Sequence, residues 1–290
     1  MQSKVHVKRV GNGEVVLIAG GGKVYTDIAA RFCRTEKDVH DIIASPYNKK
    51  LVQTILDSGH YAATEFDYFI FGIQGYSRVT ETQLVRKRLA SYLIKSGRAE
   101  EHGKRNFDVV LPKDQRLLDL PRGEVHLDPS QVIVEYKDGG KISLEQVVPC
   151  STAEVYLNSA QLLDAMASFY DDAVLNHGIK EEDARYFKPQ ATEFKAIIGM
   201  NAHALRDWFK IRCCNRAQSE IRDLAWKMLR LCKEAAPDLF EGAGPSCVAL
   251  GLCPEMEQCE QNKGKIPTLK AFKEAKNTKE YQDFAKVMMK

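Results

Sequence analysis

The stretch QLVRKRLASYLIKSGR, Gln83 to Arg98, holds five cations in sixteen positions: Arg86, Lys87, Arg88, Lys95 and Arg98. Apolar residues lie between them, so the same short stretch has a packing side and a charged side. Like charges this close repel one another, and an anion normally offsets them. If the stretch is helical, Gln83, Arg86 and Lys87 fall on adjacent turns and Arg88 lies off that face. Ser96, Gly97 and Arg98 then follow as a loop, where a hydroxyl, a glycine N–H and a guanidinium fork can grip a phosphate. The plain alternative is a solvated cationic face. The stretch by itself does not separate a nucleotide from an RNA backbone.

A second set of chemistry-bearing residues is Asn201, His203, Asp207 and Arg212. Asn201 to Arg212 is a step of eleven residues, about three helical turns, so both ends can address one cavity. An arginine among Leu205, Trp208, Phe209 and Ile211 is costly to bury unless it is paired. The plain alternative pairs Arg212 with Glu220 or another carboxylate and leaves Arg206, Asp207 and Lys210 on the surface. Arg185, in DARYFKP, is a further single cation. Cys247, Cys253 and Cys259 are spaced at intervals of six but lack the CxxC pairing and fourth ligand usual in structural zinc sites. They read as loose thiols, with no metal expected. His60 reads as a structural histidine. AGGGK lacks the phosphate-loop spacing and reads as a strand end with a turn. No nucleophile elbow, HExxH motif or serine triad order is present.

The elements that must position these residues are legible in outline. The 290 residues suffice for a sizeable core, and a net charge of +3 is too small for a whole-molecule field that draws nucleic acid. The start, MQSKVHVKRV, is polar and alternating, with no apolar signal region, and no run approaches a membrane span. The protein therefore reads as cytoplasmic, with its eight cysteines mostly reduced. Strands are expected at VHVKRV, at EVVLIA and at FDYFIFGIQGYS, the last as a core strand. Helical spacing fills Tyr25 to Ser58, with Gly59 as a stop. A helix is expected from about Val79 to Leu93. QVIVEYKDGGKISLEQVV predicts a hairpin around Asp138-Gly139-Gly140. Helical periodicity is expected from Ser151 to about His177. Further helices are expected in NAHALRDWFKIRC and in RAQSEIRDLAWKMLRLCKEAAPDLF, the latter ended by Pro237.

Together these pieces resemble the flavin-dependent thymidylate synthases, whose signature is R-H-R-x-x-S-x-N-x-x-S-x-R. Arg86, Arg88, Ser91, Ser96 and Arg98 match it in RKRLASYLIKSGR. YSRVTETQLVRKR, GHYAATEFDYFIF, MNAHALRDWFKIRCCNRAQSEIRDLAWKML and AGPSCVALGLCPE are similar to further family blocks, in register from roughly residue 25 to 259. The departures are Phe66, Lys87, Leu93, His203 and Asp207, where the family usually has His, His, Asn, Arg and Asn, and Ile94 near the nucleotide.

The resemblance implies an α+β fold with a central, mostly antiparallel sheet and long helices. It implies a single domain over 1–260 with a hairpin insertion at 115–149, followed by a Lys-rich tail at 261–290. It implies a homotetramer and an NADPH-dependent methyltransferase: dUMP methylated at C5, methylenetetrahydrofolate as carbon donor, reduced FAD as hydride donor. On this reading Gln83, Arg86, Ser96, Gly97, Arg98 and Arg185 hold dUMP, and Arg212 both binds the nucleotide and activates its ring. Arg86, Lys87, Arg88, Asn201, His203 and Asp207 face FAD. Two alternatives stay open: a flavin-dependent C5-alkylating enzyme for another pyrimidine nucleotide, and a non-catalytic nucleotide- or RNA-binding relative.

Overall fold

We describe residues 6–22, 24–96, 108–111, 124–127, 133–135, 141–143, 153–156 and 159–276 of a computed structural model. In chain order the strands and helices begin with β1 (His6–Arg9), β2 (Glu14–Ala19), α1 (Thr26–Phe32), α2 (Val39–Ala44) and α3 (Lys49–Asp57). A 3-10 turn at Tyr61–Phe66 leads into β3 (Tyr68–Ser77), α4 (Arg78–Leu84) and β4 (Ser91–Ile94). Then come β5 (Asp108–Leu111), β6 (Glu124–Leu127), β7 (Ile133–Glu135), β8 (Lys141–Ser143), β9 (Ala153–Tyr156), α5 (Ser159–Leu175) and α6 (Glu181–Ala184). The chain closes with β10 (Glu193–Asn201), α7 (Ala202–Arg212), α8 (Ser219–Ala235), α9 (Pro237–Phe240), α10 (Ser246–Ala249) and α11 (Leu269–Lys276).

The chain forms two compact units, one of residues 1–7 and 96–192, the other of 8–95 and 193–290. The larger unit is built on a four-stranded antiparallel sheet of order β2-β3-β10-β4. One face of that sheet carries the core. Phe69, Phe71 and Ile73 of β3 and Ile198 and Met200 of β10 pack with Leu205, Trp208 and Phe209 of α7. Ile221, Leu224, Ala225, Met228 and Cys232 of α8, each fully buried, complete it. This is the apolar stripe expected of that helix, and its burial is the main stabilising term. The smaller unit has its own cluster of Val109, Leu163, Ala167, Tyr170 and Ala184. In it β7 and β8 pair antiparallel, Ile133 opposite Ser143, as the hairpin spacing predicts.

Local chemistry sets the helix ends. Asn48 accepts from the Leu51 N–H at 3.0 Å to start α3, and Gly59, at φ +73°, follows its end. Gln218 accepts from the N–H groups of Glu220 and Ile221 to start α8. Asp67, almost wholly buried, accepts from the N–H groups of Tyr25 and Thr26 and from the Thr26 hydroxyl. Its own carbonyl accepts from Ala202 N at 2.8 Å. One residue before β3 therefore holds the starts of both α1 and α7.

Two expectations need correction. The helix predicted from Val79 to Leu93 ends at Leu84, and Ser91–Ile94 is a strand. Tyr92 and Ile94 turn inward while Ser91 and Leu93 are exposed, a period of two. Pairing along β10, with Ile197 opposite Leu93, outweighs the helical spacing of the local sequence. Likewise, the helix expected from Ser151 begins at Ser159, because Ala153–Tyr156 pairs with Glu124–Leu127. In both cases the deciding partner is remote in sequence.

Candidate active site

The end of α4, the loop at 85–90 and the end of α7 meet in the larger unit. Arg212, on the last turn of α7, is half buried. Its Nη1 donates to the Gln83 side-chain oxygen at 3.4 Å and its Nη2 to the Gln83 carbonyl at 3.3 Å. Both contacts are long and both acceptors neutral. The Arg212 pKa is lowered, first by burial and then by the neighbouring charge of Arg86. Among the described residues the carboxylate pairing considered from sequence does not form. The Glu220 carboxylate instead accepts from the Ser77 N–H at 2.7 Å and the Ser77 hydroxyl at 2.5 Å. Arg212 is half buried and the nearby Arg86 is exposed, with no described acidic side chain paired to either.

The cations beside them are equally unmatched. Arg86, Lys87 and Arg88 lie in the loop after α4, so only Gln83 of the expected helical face is in the helix. None of the three has an acidic partner among the described residues. The loop is shaped by Tyr92, whose hydroxyl contacts the carbonyls of Leu84 and Lys87, each at 2.9 Å. Burial pushes the Tyr92 phenol up to about 12, so it stays a donor at neutral pH.

Around the start of α7 the polar residues are engaged. Asn201 is the N-cap, its side-chain oxygen accepting from Ala204 N at 2.8 Å. His203 Nδ1 lies 3.1 Å from a Glu65 carboxylate oxygen, its Nε2 lies 3.8 Å from Asp207, and its ring is tilted against Tyr61. Asp207 pairs with Lys210 at 3.0 Å, which offsets its negative charge. Arg206 is no surface residue: it donates to the carbonyls of Leu239 and Glu241 and ties α7 to the end of α9. Phe66 and Leu93 are 67% and 73% exposed, unusually so for large apolar side chains.

Of the other expected site residues, Ser96 lies two residues past the end of β4 and is exposed, and Arg185 opens the 3-10 turn Arg185–Phe187 in the smaller unit. Gly97 and Arg98 lie outside the described residues. His60, expected to be structural, is exposed. Sequence reasoning missed Asp67 and Ser77, and considered Glu220 only as a partner for Arg212. An acidic residue just before a core strand, with a remote helix start to satisfy, has no local signature.

Residues 21–238 match the family described as Thymidylate synthase complementing protein. The chain belongs to that family. A flavin-dependent thymidylate synthase of Geobacter sulfurreducens is 34% identical over 232 residues, 79% of this chain and 84% of that one. One from Clostridium tetani is 33% identical over 238 residues, 78% of this chain and 84% of that one. Among solved structures, a UMP/dUMP methylase, PolB, from Streptomyces cacaoi with 5-Br UMP bound has a TM-score of 0.56 at 20% identity. The match covers 82% of this chain and 95% of that one, a likeness of fold. The mostly antiparallel sheet with packed helices is an α+β architecture, as expected.

Proposed function

We propose that this chain is an FAD-dependent thymidylate synthase, an enzyme of the transferase class. It methylates dUMP at C5 to dTMP, with methylenetetrahydrofolate as carbon donor and NADPH as the reductant. The observation that carries this reading is the half-buried Arg212, with Gln83 as its only described hydrogen-bond partner and the like charge of the exposed Arg86 nearby. Such an arrangement is stabilised by an anionic ligand and destabilised without one.

In this reading Gln83, Arg86, Ser96, Gly97, Arg98 and Arg185 bind dUMP. Arg212, braced by Gln83, favours negative charge developing on the uracil ring and so raises the nucleophilicity of C5. No cysteine nucleophile is required. The residues on the flavin side suit an anionic, planar cofactor. Arg86, Lys87 and Arg88 present charge without acidic partners among the described residues, and the N-terminal end of α7 at Asn201 adds a positive dipole end. Lys210 offsets Asp207, and His203 lies beside it. Phe66 and Leu93 offer exposed apolar surface for a ring system. When bound, FAD supplies the hydride that completes the methyl group. The enzyme acts as a cytoplasmic homotetramer, and the exposed sheet face of Val16, Ile18, Leu93 and Ile197 suits a subunit contact. Among the described residues no helix is long and apolar enough to cross a membrane.

The test is product analysis by mass spectrometry with FAD, NADPH and methylenetetrahydrofolate, using dUMP and UMP in parallel. dTMP formation is expected, with retained flavin absorbance after free FAD is removed. Inertness on dUMP would overturn the reading. The exposed Leu93, where the family has Asn, favours one second reading, C5 alkylation of another pyrimidine nucleotide. Methylated UMP without dTMP would select it.

A further inference from the structure

The 3-10 turn Tyr61–Phe66 packs on the start of α7 in the larger unit, and one side chain there faces acids from both elements. His203 Nδ1 lies 3.1 Å from a carboxylate oxygen of Glu65, in the turn. Its Nε2 lies 3.8 Å from a carboxylate oxygen of Asp207, four residues along α7. The second contact is ionic and too long for a hydrogen bond. The imidazole is 34% exposed, so it exchanges protons with solvent. Its ring rests on Tyr61, tilted by 35° with the centroids 5.8 Å apart.

A neutral imidazole has one N–H and one bare nitrogen. With a carboxylate at each nitrogen, one acid faces a lone pair whichever tautomer forms. The imidazolium carries an N–H on both nitrogens and serves both acids. Imidazole is also the side chain that changes charge between about pH 5 and 8. The arrangement around His203 is therefore complete in only one of its two protonation states.

The charged groups around the ring come from both elements. Glu65 belongs to the turn, and Arg206, Asp207 and Lys210 belong to α7. Asp207 pairs with Lys210 at 3.0 Å. The Lys210 ammonium and the Arg206 guanidinium stand 5.6 and 5.7 Å from the centre of the Tyr61 ring. Asp67, just past the turn, is taken up by the start of α1. In the helices packed on the turn, Asp27 pairs with Arg31 in α1 at 3.2 Å, and Lys49 of α3 pairs with Asp238 at 2.8 Å. Glu65 and Asp207 thus balance Arg206 and Lys210 while His203 is neutral, and a proton on His203 tips the group to a net positive charge. The sequence bears on the same point. Where the family pattern has Arg and Asn, this chain has His203 and Asp207 on one helix face. A fixed cation has given way to a titratable one, and an acid stands beside it.

We propose that His203 is a positioning residue that works as an imidazolium: it ties the Tyr61–Phe66 turn to the start of α7 through Glu65 and Asp207, and its charge makes this end of α7 hold an anionic cofactor more tightly as pH falls. The tie needs no ligand. The effect on the cofactor rests on the proposed reading that FAD binds beside Asn201 and His203. A ligand bearing phosphates meets a balanced group at high pH and a cation at low pH. His203 makes and breaks no bond of the substrate. It sets the charge and the position of the surface that receives the cofactor.

Two measurements on the full chain test the two halves. The first is urea denaturation of flavin-free wild type, His203→Gln, Asp207→Asn and the double variant. At about pH 5.5 the two changes should be non-additive, because the imidazolium serves Asp207. At about pH 8.5 they should add, because a neutral ring keeps its one N–H for Glu65. Equal coupling at both pH values, or none at either, would overturn the tie. The second is titration with FAD, followed by the change in flavin fluorescence, across the same pH range at fixed ionic strength. Wild type should bind about three- to fivefold more tightly at the acid end, the scale of one partly exposed charge pair. His203→Arg should stay tight across the range and His203→Gln should stay weak. A flat wild-type profile, or a pH dependence that persists in His203→Gln as it would for a merely structural histidine, would overturn the effect on the cofactor. Wild type that binds no FAD at any pH would overturn the flavin reading and that effect together, and the denaturation cycle still decides the tie.

Discussion

Burial, and after it the like charge of Arg86, lowers the Arg212 pKa, and in the proposed reading a bound anion offsets both. The same geometry accounts for the demand on side-chain type. A guanidinium donates along two directions at once, here to the side chain and the carbonyl of Gln83. An ammonium is a point charge and cannot reproduce that fork. Arg212→Lys is therefore expected to fold normally and lose about 10²–10³-fold in turnover, read by steady-state kinetics beside a thermal melt. Wild-type turnover in that variant would refute the ring-activating role. Glu220 is the second residue with a sharp expectation. Its buried carboxylate accepts from the N–H and the hydroxyl of Ser77, at the start of the helix that carries Gln83. Glu220→Ala leaves both donors unmet and should lower stability by about 1–3 kcal/mol, measured by chemical denaturation.

The junction between α4 and β4 is fastened by the Tyr92 hydroxyl, which contacts two carbonyls of the cationic loop. Tyr92→Phe should cost about 1 kcal/mol or a little more and loosen the loop, seen as a weaker apparent affinity for dUMP by calorimetry. A pH signature accompanies it. Burial, then the neighbouring Tyr68, raises the folded phenol to about 12, while an unfolded phenol ionises near pH 10, roughly its ordinary value. The fold holds the neutral form, so this contribution is complete below the unfolded value and is lost as pH rises toward the folded one. Denaturation midpoints between roughly pH 10 and 12 should fall less steeply in Tyr92→Phe than in wild type. Gly199 is a tighter constraint. A Cβ there would meet the Tyr68 ring at 2.6 Å. Gly199→Ala should destabilise by about 1–3 kcal/mol, and much of that loss should vanish when Tyr68 is shortened to Leu.

At the scale of the whole molecule, the net charge of +3 means that attraction for anions is local to the 86–88 loop and Arg212. Binding of dUMP should therefore weaken only modestly with salt, whereas an RNA-binding protein loses affinity in proportion to the number of phosphates it neutralises. A steep salt slope with no preference for uridylate would favour the RNA reading. The sheet carries Ile18 at 56% and Leu93 at 73% exposure on its outer face. If a second subunit covers that face in the proposed tetramer, Leu93→Lys with Ile18→Glu should shift the mass measured by light scattering toward smaller assemblies. An unchanged mass would place the subunit contact elsewhere.

The sequence by itself determined the parts that depend on neighbours along the chain. The stripe Ile221, Leu224, Ala225, Met228 and Cys232 declares one buried helix face, because side chains three and four apart share a face whatever lies opposite. The core strand at Tyr68–Ser77, the stop at Gly59, the Ile133–Ser143 hairpin and the family signature from Arg86 onward are local in the same sense. The tertiary structure alone decided where remote groups compete. Ser91–Ile94 has helical spacing, yet it pairs with β10, whose residues lie about a hundred positions later. Arg212 could have met Glu220, eight residues on. Glu220 instead turns to Ser77, 143 positions earlier, and leaves the guanidinium on the neutral oxygens of Gln83. Which carboxylate reaches which donor depends on burial and on partners far apart in the chain. For that reason the unbalanced cations at the centre of the site emerge only from the fold.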